Sequence, residues 1–355
     1  MSLIKRLLLY GQIMRNRNCK ILVTGAAGFI GYHMVMLLIK NQYIVIGLDN
    51  LNDYYDVTLK HNRLKECGIY CSNSIGVKEY SCKYRNYGFY KADISDYESL
   101  INIFETEHFD YVINLAGQAG VRYSIERPVE YVMSNMLGFL NILECCKSFG
   151  VQNVLYASSS SVYGSCTQYP FREDAHINNM LNIYAVSKKS NEEMANVYRN
   201  LYGINIVGFR FFSVYGPWGR PDMAMMLFTK AILCNEPINV FNNGKHKRDF
   251  TYVDDIVNSI YRLILSRPEE WAPIYNIGNS DPVSLTTLIE ILESKIGKKG
   301  IYNYCPLQQG DIENTYADMS LFRNQFGEQK FTSINDGINN FLRWYLEYYS
   351  VYEDK

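Results

Sequence analysis

The chain has 355 residues, is 48% apolar, and sets 35 Lys and Arg against 36 Asp and Glu for a formal net charge of −1. So small a net charge gives no long-range pull toward nucleic acid or an anionic membrane. No run is long and apolar enough to span a bilayer, and the nine cysteines lack metal-ligand spacing, so neither an integral membrane span nor a metal is expected.

Odd in number and scattered, the cysteines read as free thiols in a reducing cytoplasm. Residues 1–18 read as an N-terminal extension, basic, with an apolar patch at Leu7 to Tyr10 that is too short for a signal-peptide core. An apolar run of strand length, Lys20 to Thr24, then leads into Gly25, Gly28 and Gly31. Val35, Leu38 and Ile39 follow at helical spacing. This pattern of strand, glycine turn and helix suits a dinucleotide. The helical segment reads as His33 to Lys40. Its free amides and positive dipole end favour a pyrophosphate, and Phe29, Ile30 and Gly31 are expected among the cofactor contacts. The spacing is G-x-x-G-x-x-G, and an ordinary glycine-rich turn is the plain alternative. The second strand, Tyr43 to Leu48, ends at Asp49. An acid there accepts from both ribose hydroxyls and repels a 2′-phosphate, so NAD is expected rather than NADP.

A polar, aromatic loop runs from Leu51 to Lys60, and residues 66–88 read as a surface insertion without clean periodicity. Phe89 to Ile94 is a third strand. Asp93 and Ile94 then border the adenine, and Ser95 or Asp96 is the better helix cap. Phe109 to Ala116 is the fourth strand, and the small residues after Ala116 leave room for a ligand at the sheet's carboxyl edge. The stripe Val132, Met136, Phe139, Leu140 and Leu143 marks a helix face for the core or for a partner helix. Val151 to Ala157 is the fifth strand, ending in four serines, Ser158 to Ser161, suited to hydrogen-bonding a substrate. Tyr184 and Lys188 share a helix face at i and i+4. A lone pair of this kind is common, and its weight comes from following the glycines, Asp49 and the serines in order.

In that order the motifs resemble the extended short-chain dehydrogenase/reductase family of nucleotide-sugar enzymes, over roughly residues 19 to 345. The stretches Asp49 to Asp56, Ala119 to Glu126, Phe209 to Met223, Lys247 to Ile256 and Gln309 to Asp318 are similar to UDP-glucuronate 4-epimerases. The resemblance implies an α/β fold, a doubly wound parallel sheet with a smaller substrate lobe. NAD would bind to 19–212, with strands around 204–210 and 274–277 joining the sheet and returning segments near 248–279. The UDP-sugar would bind mainly to 213–355. It also implies a homodimer through helices near 128–149 and 184–202, and a part in polysaccharide biosynthesis.

The implied chemistry is transient oxidation at C4. Tyr184 is the base, Ser159 shares the substrate hydroxyl, and Lys188 holds the nicotinamide ribose. The lysine and the cationic nicotinamide would lower a phenol pKa that is ordinarily near 10. Family dehydratases carry Asp-Glu where Ser160 and Ser161 stand, and decarboxylases carry Glu at the position of Ser161, so simple epimerisation is favoured. Arg248 would grip the diphosphate, Ser213 would lie near diphosphate or sugar, and Gln308 and Asp311 would lie near the uridine. A pair with Asp249 or Asp254 is the alternative for Arg248. A 4-keto uronate loses CO2 when its carboxylate bond aligns with the carbonyl. Arg220, with Arg122 second, is the expected carboxylate clamp, and a surface pair with Asp222 is the alternative. The rival readings are a 4-epimerase of UDP-glucose or UDP-N-acetylglucosamine, a UDP-glucuronate decarboxylase, and a non-catalytic NAD sensor.

Overall fold

A computed structural model describes residues 18–70, 74–306, 310 and 312–353. Residues 1–17 of the expected extension, together with Gln308 and Asp311, lie outside the described residues.

Apolar runs flanked by helices become strands buried on both faces. In chain order these elements are β1 (Lys20–Thr24), α1 (Phe29–Lys40), β2 (Ile44–Asp49), α2 (Val57–Glu66), β3 (Lys78–Tyr80), β4 (Tyr87–Lys91), α3 (Tyr97–Glu107), β5 (Tyr111–Asn114), α4 (Val121–Glu126) and α5 (Pro128–Tyr131). A π-helical turn, Val132–Leu137, leads from α5 into α6 (Gly138–Ser148), and then come β6 (Asn153–Ser159), α7 (Ile183–Tyr202) and β7 (Asn205–Phe211). The remainder is β8 (Ser213–Tyr215), α8 (Ala224–Cys234), β9 (Pro237–Phe241), β10 (Lys247–Tyr252), α9 (Val253–Ile264), β11 (Ile274–Ile277), β12 (Pro282–Ser284), α10 (Leu285–Ile296), β13 (Ile301–Cys305), α11 (Ser320–Phe326) and α12 (Ile334–Glu353).

The large sheet has eight strands in the order β11-β7-β6-β5-β1-β2-β4-β3, all parallel except β3. The chain leaves β1 for β2 and β4 on one side, then crosses to β5 on the other. That reversal opens a crevice at the carboxyl end of β1, where doubly wound sheets take ligands. Smaller sheets, β12-β10-β8 and β13-β9, carry a second core that includes Tyr215, Phe228, Ile232, Leu288 and Phe341.

Three details depart from the periodicity. The 66–88 stretch is not only surface: β3 hairpins onto β4, because Lys78 to Tyr80 pair with Tyr90 to Gly88. The third strand ends at Lys91, which leaves Asp93 in the loop beyond it, and the helix cap is Asp96, whose carboxylate accepts from Ser99 N at 3.2 Å. The apolar stripe divides: Phe139 and Leu143 are core, and Val132 is exposed on the π turn with Met133 and Leu137.

One buried polar network ties α7 to the sheet. Arg210 on β7 grips Glu192 of α7 with two bonds of 2.9 Å, and Ser158 Oγ donates to the same carboxylate at 2.7 Å. Arg210 also donates to Tyr163 Oη at 3.0 Å, and Tyr163 donates to Asn276 of β11 at 2.7 Å. Glu192→Gln leaves a buried guanidinium short of its counter-charge, so we expect a loss of ~3–5 kcal/mol in urea unfolding, the usual effect of breaking a buried pair.

Candidate active site

A cleft of about 910 Å³ lies between the carboxyl edge of the large sheet and the smaller lobe. Its floor is the glycine turn. Gly25 has φ +67°, and a Cβ there would stand 2.7 Å from Ala116 N. A Cβ on Gly28 or Gly31 would stand 2.9 or 1.9 Å from Gly25 O. Helix α1 begins at Gly28 without a side-chain cap, and Phe29, Ile30 and Gly31 line the cleft. Such a cradle, closed to any side chain and open to an anion, fits a dinucleotide pyrophosphate.

Asp49 ends β2 inside the cleft, accepting from Ala27 N at 3.1 Å and Leu51 N at 2.8 Å. Asp93 accepts from Asn50 Nδ2 at 2.7 Å and from Ser95 N and Oγ at 2.8 and 2.7 Å. Burial alone would raise its pKa, but these hydrogen bonds hold it below the usual carboxylate value. Ile94 packs over Gly138, and Ala116 N donates to Thr24 Oγ1 at 3.2 Å.

Opposite the glycines, Asn182 caps α7 by accepting from Ala185 N at 2.8 Å, and this sets Tyr184 in the first turn. The Tyr184 phenol hydrogen-bonds with Ser159, at the end of β6, and its ring meets Tyr131 edge-on at 5.9 Å. Burial raises the phenol pKa above 10.0, while Ser159 and the Arg220 charge pull it down. Lys188 Nζ donates to Ala157 O at 2.9 Å, and burial lowers its own pKa from 10.5 to about 8. In the protein alone burial outweighs both influences on Tyr184, and its phenol stays above its ordinary value.

All four serines line the cleft, and Ser161 N donates to Ser159 Oγ at 3.1 Å. Ser158 spends its hydroxyl proton on Glu192, so it has none to donate to a substrate. Arg122 stacks on Phe241 of the smaller lobe, 4.9 Å from the ring centre. Ser213 and Arg248 line the same wall. Arg248 donates to Glu313 O at 2.7 Å. Its expected acidic partners are engaged elsewhere: Asp249 accepts from Asn279 N, Ser280 N and Ala317 N, and Asp254 lies 3.6 Å from His33. Arg220 does pair with Asp222, but it does so in the cleft rather than on the outer surface.

The periodicity passed over two cations, Lys60, which lines the cleft, and Arg63, which is buried. Lys60 lies 3.9 Å from Asp49 and donates to Asn52 Oδ1 at 2.7 Å. Arg63, fully buried, donates to Ala27 O at 2.8 Å and to Trp218 O at 2.7 Å, joining the glycine turn to the loop that leads to Arg220. Charges at i and i+3 on a short helix after an aromatic loop were the available signal.

Lys188 gives a pH test on the protein without cofactor. Its folded pKa of about 8 lies below the ordinary 10.5, so between those values the unfolded chain binds more protons and native stability rises with pH. The desolvation penalty is complete below about 8 and relieved toward 10.5. Urea unfolding of wild type against Lys188→Met should therefore shift in favour of wild type by up to ~3 kcal/mol over that range. A flat difference would show that Lys188 is not desolvated.

Over residues 21–278 the chain matches the NAD dependent epimerase/dehydratase family. It is 48% identical over 93% of its length to Protein CapI of Staphylococcus aureus, of which it covers 99%. UDP-glucuronate 4-epimerase 4 of Arabidopsis thaliana is 40% identical, with 94% of this chain and 77% of that protein aligned. Among solved structures, UDP-glucuronic acid 4-epimerase from Bacillus cereus, in complex with UDP-glucuronic acid and NAD, superposes with a TM-score of 0.84 at 32% identity, covering 93% of this chain and 100% of that one. With its glycine cradle, Asp49 and the Ser159–Tyr184 contact in one cleft, the chain belongs to the NAD dependent epimerase/dehydratase family.

Proposed function

We propose that the protein is a 4-epimerase that interconverts UDP-glucuronate and UDP-galacturonate. The observation that carries this reading is a guanidinium, Arg220, in the same cleft as Ser159, Tyr184 and Lys188, with serines rather than acids at 160 and 161. Gly25, Gly28, Phe29, Ile30, Gly31, Asp49, Asp93, Ile94, Ala116, Tyr184 and Lys188 would hold the NAD. When bound, NAD supplies reversible hydride acceptance at C4, and its positive ring favours the Tyr184 phenolate.

Tyr184 takes the proton of the 4-hydroxyl, and Ser159 holds that oxygen by a hydrogen bond. The 4-keto sugar turns about its diphosphate linkage and offers its other face. Tyr184 then returns the proton to the oxygen of the inverted centre. Arg248 and Ser213 hold the diphosphate through the turn, Ser160 and Ser161 border the sugar, and Arg122 closes the wall beside Phe241. Gln308 and Asp311 complete the uridine end in this reading. Arg220 grips the C5 carboxylate and keeps it out of line with the C4 carbonyl. Residues 160 and 161 offer no second acid or base, which separates this site from dehydratase chemistry.

The alternative is a 4-epimerase of a neutral UDP-hexose. It draws support from Thermotoga maritima UDP-glucose 4-epimerase with UDP-glucose, at TM-score 0.80 and 28% identity, and from the neutralising Arg220–Asp222 pair. We further propose a homodimer, because Val129 on α5, Val132, Met133 and Leu137 on the π-helical turn and Val186, Val197 and Leu201 on α7 are exposed. A cytoplasmic setting is supported by free cysteines among the described residues. No helix among the described residues is long and apolar enough to cross a membrane.

Tyr184→Phe should fold and bind NAD but lose turnover by ~10²–10⁴-fold, the scale of a general base. Product NMR with UDP-glucuronate and no added NAD reads this, and near-normal turnover rejects the mechanism. Arg220→Ala separates the substrates. Turnover of UDP-glucuronate should fall about a hundredfold further than that of a neutral UDP-hexose, the scale of a lost bidentate pair, on top of any loss common to both from removing the Arg220 charge near Tyr184. Equal losses on both would favour the neutral-sugar reading.

A further inference from the structure

The cleft holds Arg220 in a particular plane. Nε donates to Asp222 Oδ1 at 3.0 Å and Nη2 donates to Asp222 Oδ2, which occupies one side of the guanidinium fork. The Tyr54 ring lies 5.5 Å from the guanidinium carbon, and the Tyr54 hydroxyl donates to Asp222 Oδ2 at 3.0 Å. Tyr54 is itself flanked by Tyr123 and Tyr55, with ring centres 4.6 and 5.9 Å away. Nη2 leans toward Ala119 O at 3.5 Å, and Nη1 carries no hydrogen bond among the described residues. The Nη1–Nη2 edge of the same planar fork is therefore the one left for a second carboxylate.

We propose that Asp222, pinned by Tyr54, is a positioning residue that fixes the plane of Arg220, so that a uronate meets the free edge in one orientation only. The inference rests on the UDP-glucuronate reading above. Its consequence is control of a side reaction. When the C5–C6 bond lines up with the C4 carbonyl, that bond breaks and its electron pair passes into the C4–C5 enolate. CO2 leaves and C5 takes up a proton. The product is a UDP-4-ketopentose, and the two electrons removed at C4 stay with the dinucleotide. A guanidinium free to rotate lets this alignment occur. Asp222 is also an anion close to the incoming carboxylate, so it opposes binding while it improves orientation. Removing its charge should move affinity and fidelity in opposite directions.

Wild type, Asp222→Asn and Tyr54→Phe holoenzymes are compared on UDP-glucuronate, with NMR of the products, released CO2 and KM. We expect the fraction of turnovers ending in CO2 to rise about tenfold in Asp222→Asn, the scale of one charge-assisted hydrogen bond. KM should be unchanged or lower. Tyr54→Phe, which keeps the ring and loses the hydroxyl, should move the same way by less, and it carries the test if Asp222→Asn does not fold. An unchanged product ratio overturns the role of Asp222. So does a rise in CO2 accompanied by a raised KM, which marks general loosening of the cleft. A wild type that fails to epimerise UDP-glucuronate overturns the functional reading as well, and this separates the two failures.

Discussion

The approach of Gly31 to the carbonyl of Gly25 is the contact on which the cleft depends. A Cβ at that point would stand 1.9 Å from the oxygen, deep inside van der Waals contact. Without a side chain, α1 seats directly against the end of β1, and its first turn faces the crevice between β1 and β5. Asp49 is held at the same edge because its carboxylate takes the amide of Ala27 from within the turn. The cradle and the acid beside it are thus one hydrogen-bonded unit rather than two independent features.

Chemistry at the other wall depends on a second constraint, the buried Glu192–Arg210 pair. It fixes α7 against β6 and β7, and so fixes Tyr184 against Ser159. A buried ion pair is weak evidence of net stability. Its value here is geometric, because the charge is satisfied in only one docking of the helix. Arg63 performs a comparable service between the glycine turn and the Trp218 loop. These three connections set where base, cofactor cradle and Arg220 stand relative to one another.

Electrostatically the cleft is balanced more finely than its composition suggests. Tyr184 is buried, which favours the protonated phenol, and Arg220 opposes that from a distance. Desolvation brings the Lys188 pKa down to about 8, which still leaves it charged at neutral pH. A site of this kind gains its basic phenol together with its ligands rather than ahead of them.

The strands around the crevice were legible because their periodicity is local. Lys20 to Thr24, Ile44 to Asp49 and Asn205 to Phe211 are apolar runs of strand length. Tyr184 and Lys188 were legible because i and i+4 share a helix face whatever surrounds them. Residues 78–80 were not, since a short edge strand owes its existence to its partner β4. What the sequence by itself determined, then, is the βα framework, the glycine cradle and the serine, tyrosine and lysine set, all encoded by spacings of a few residues. Only the tertiary structure decided that Ser158 serves the core, that Arg248 turns from Asp249, and that Arg220 is held by Asp222 and Tyr54. The physical reason is distance along the chain: Tyr54 and Asp222 are 168 positions apart, and no local pattern records a contact that only the folded sheet brings about.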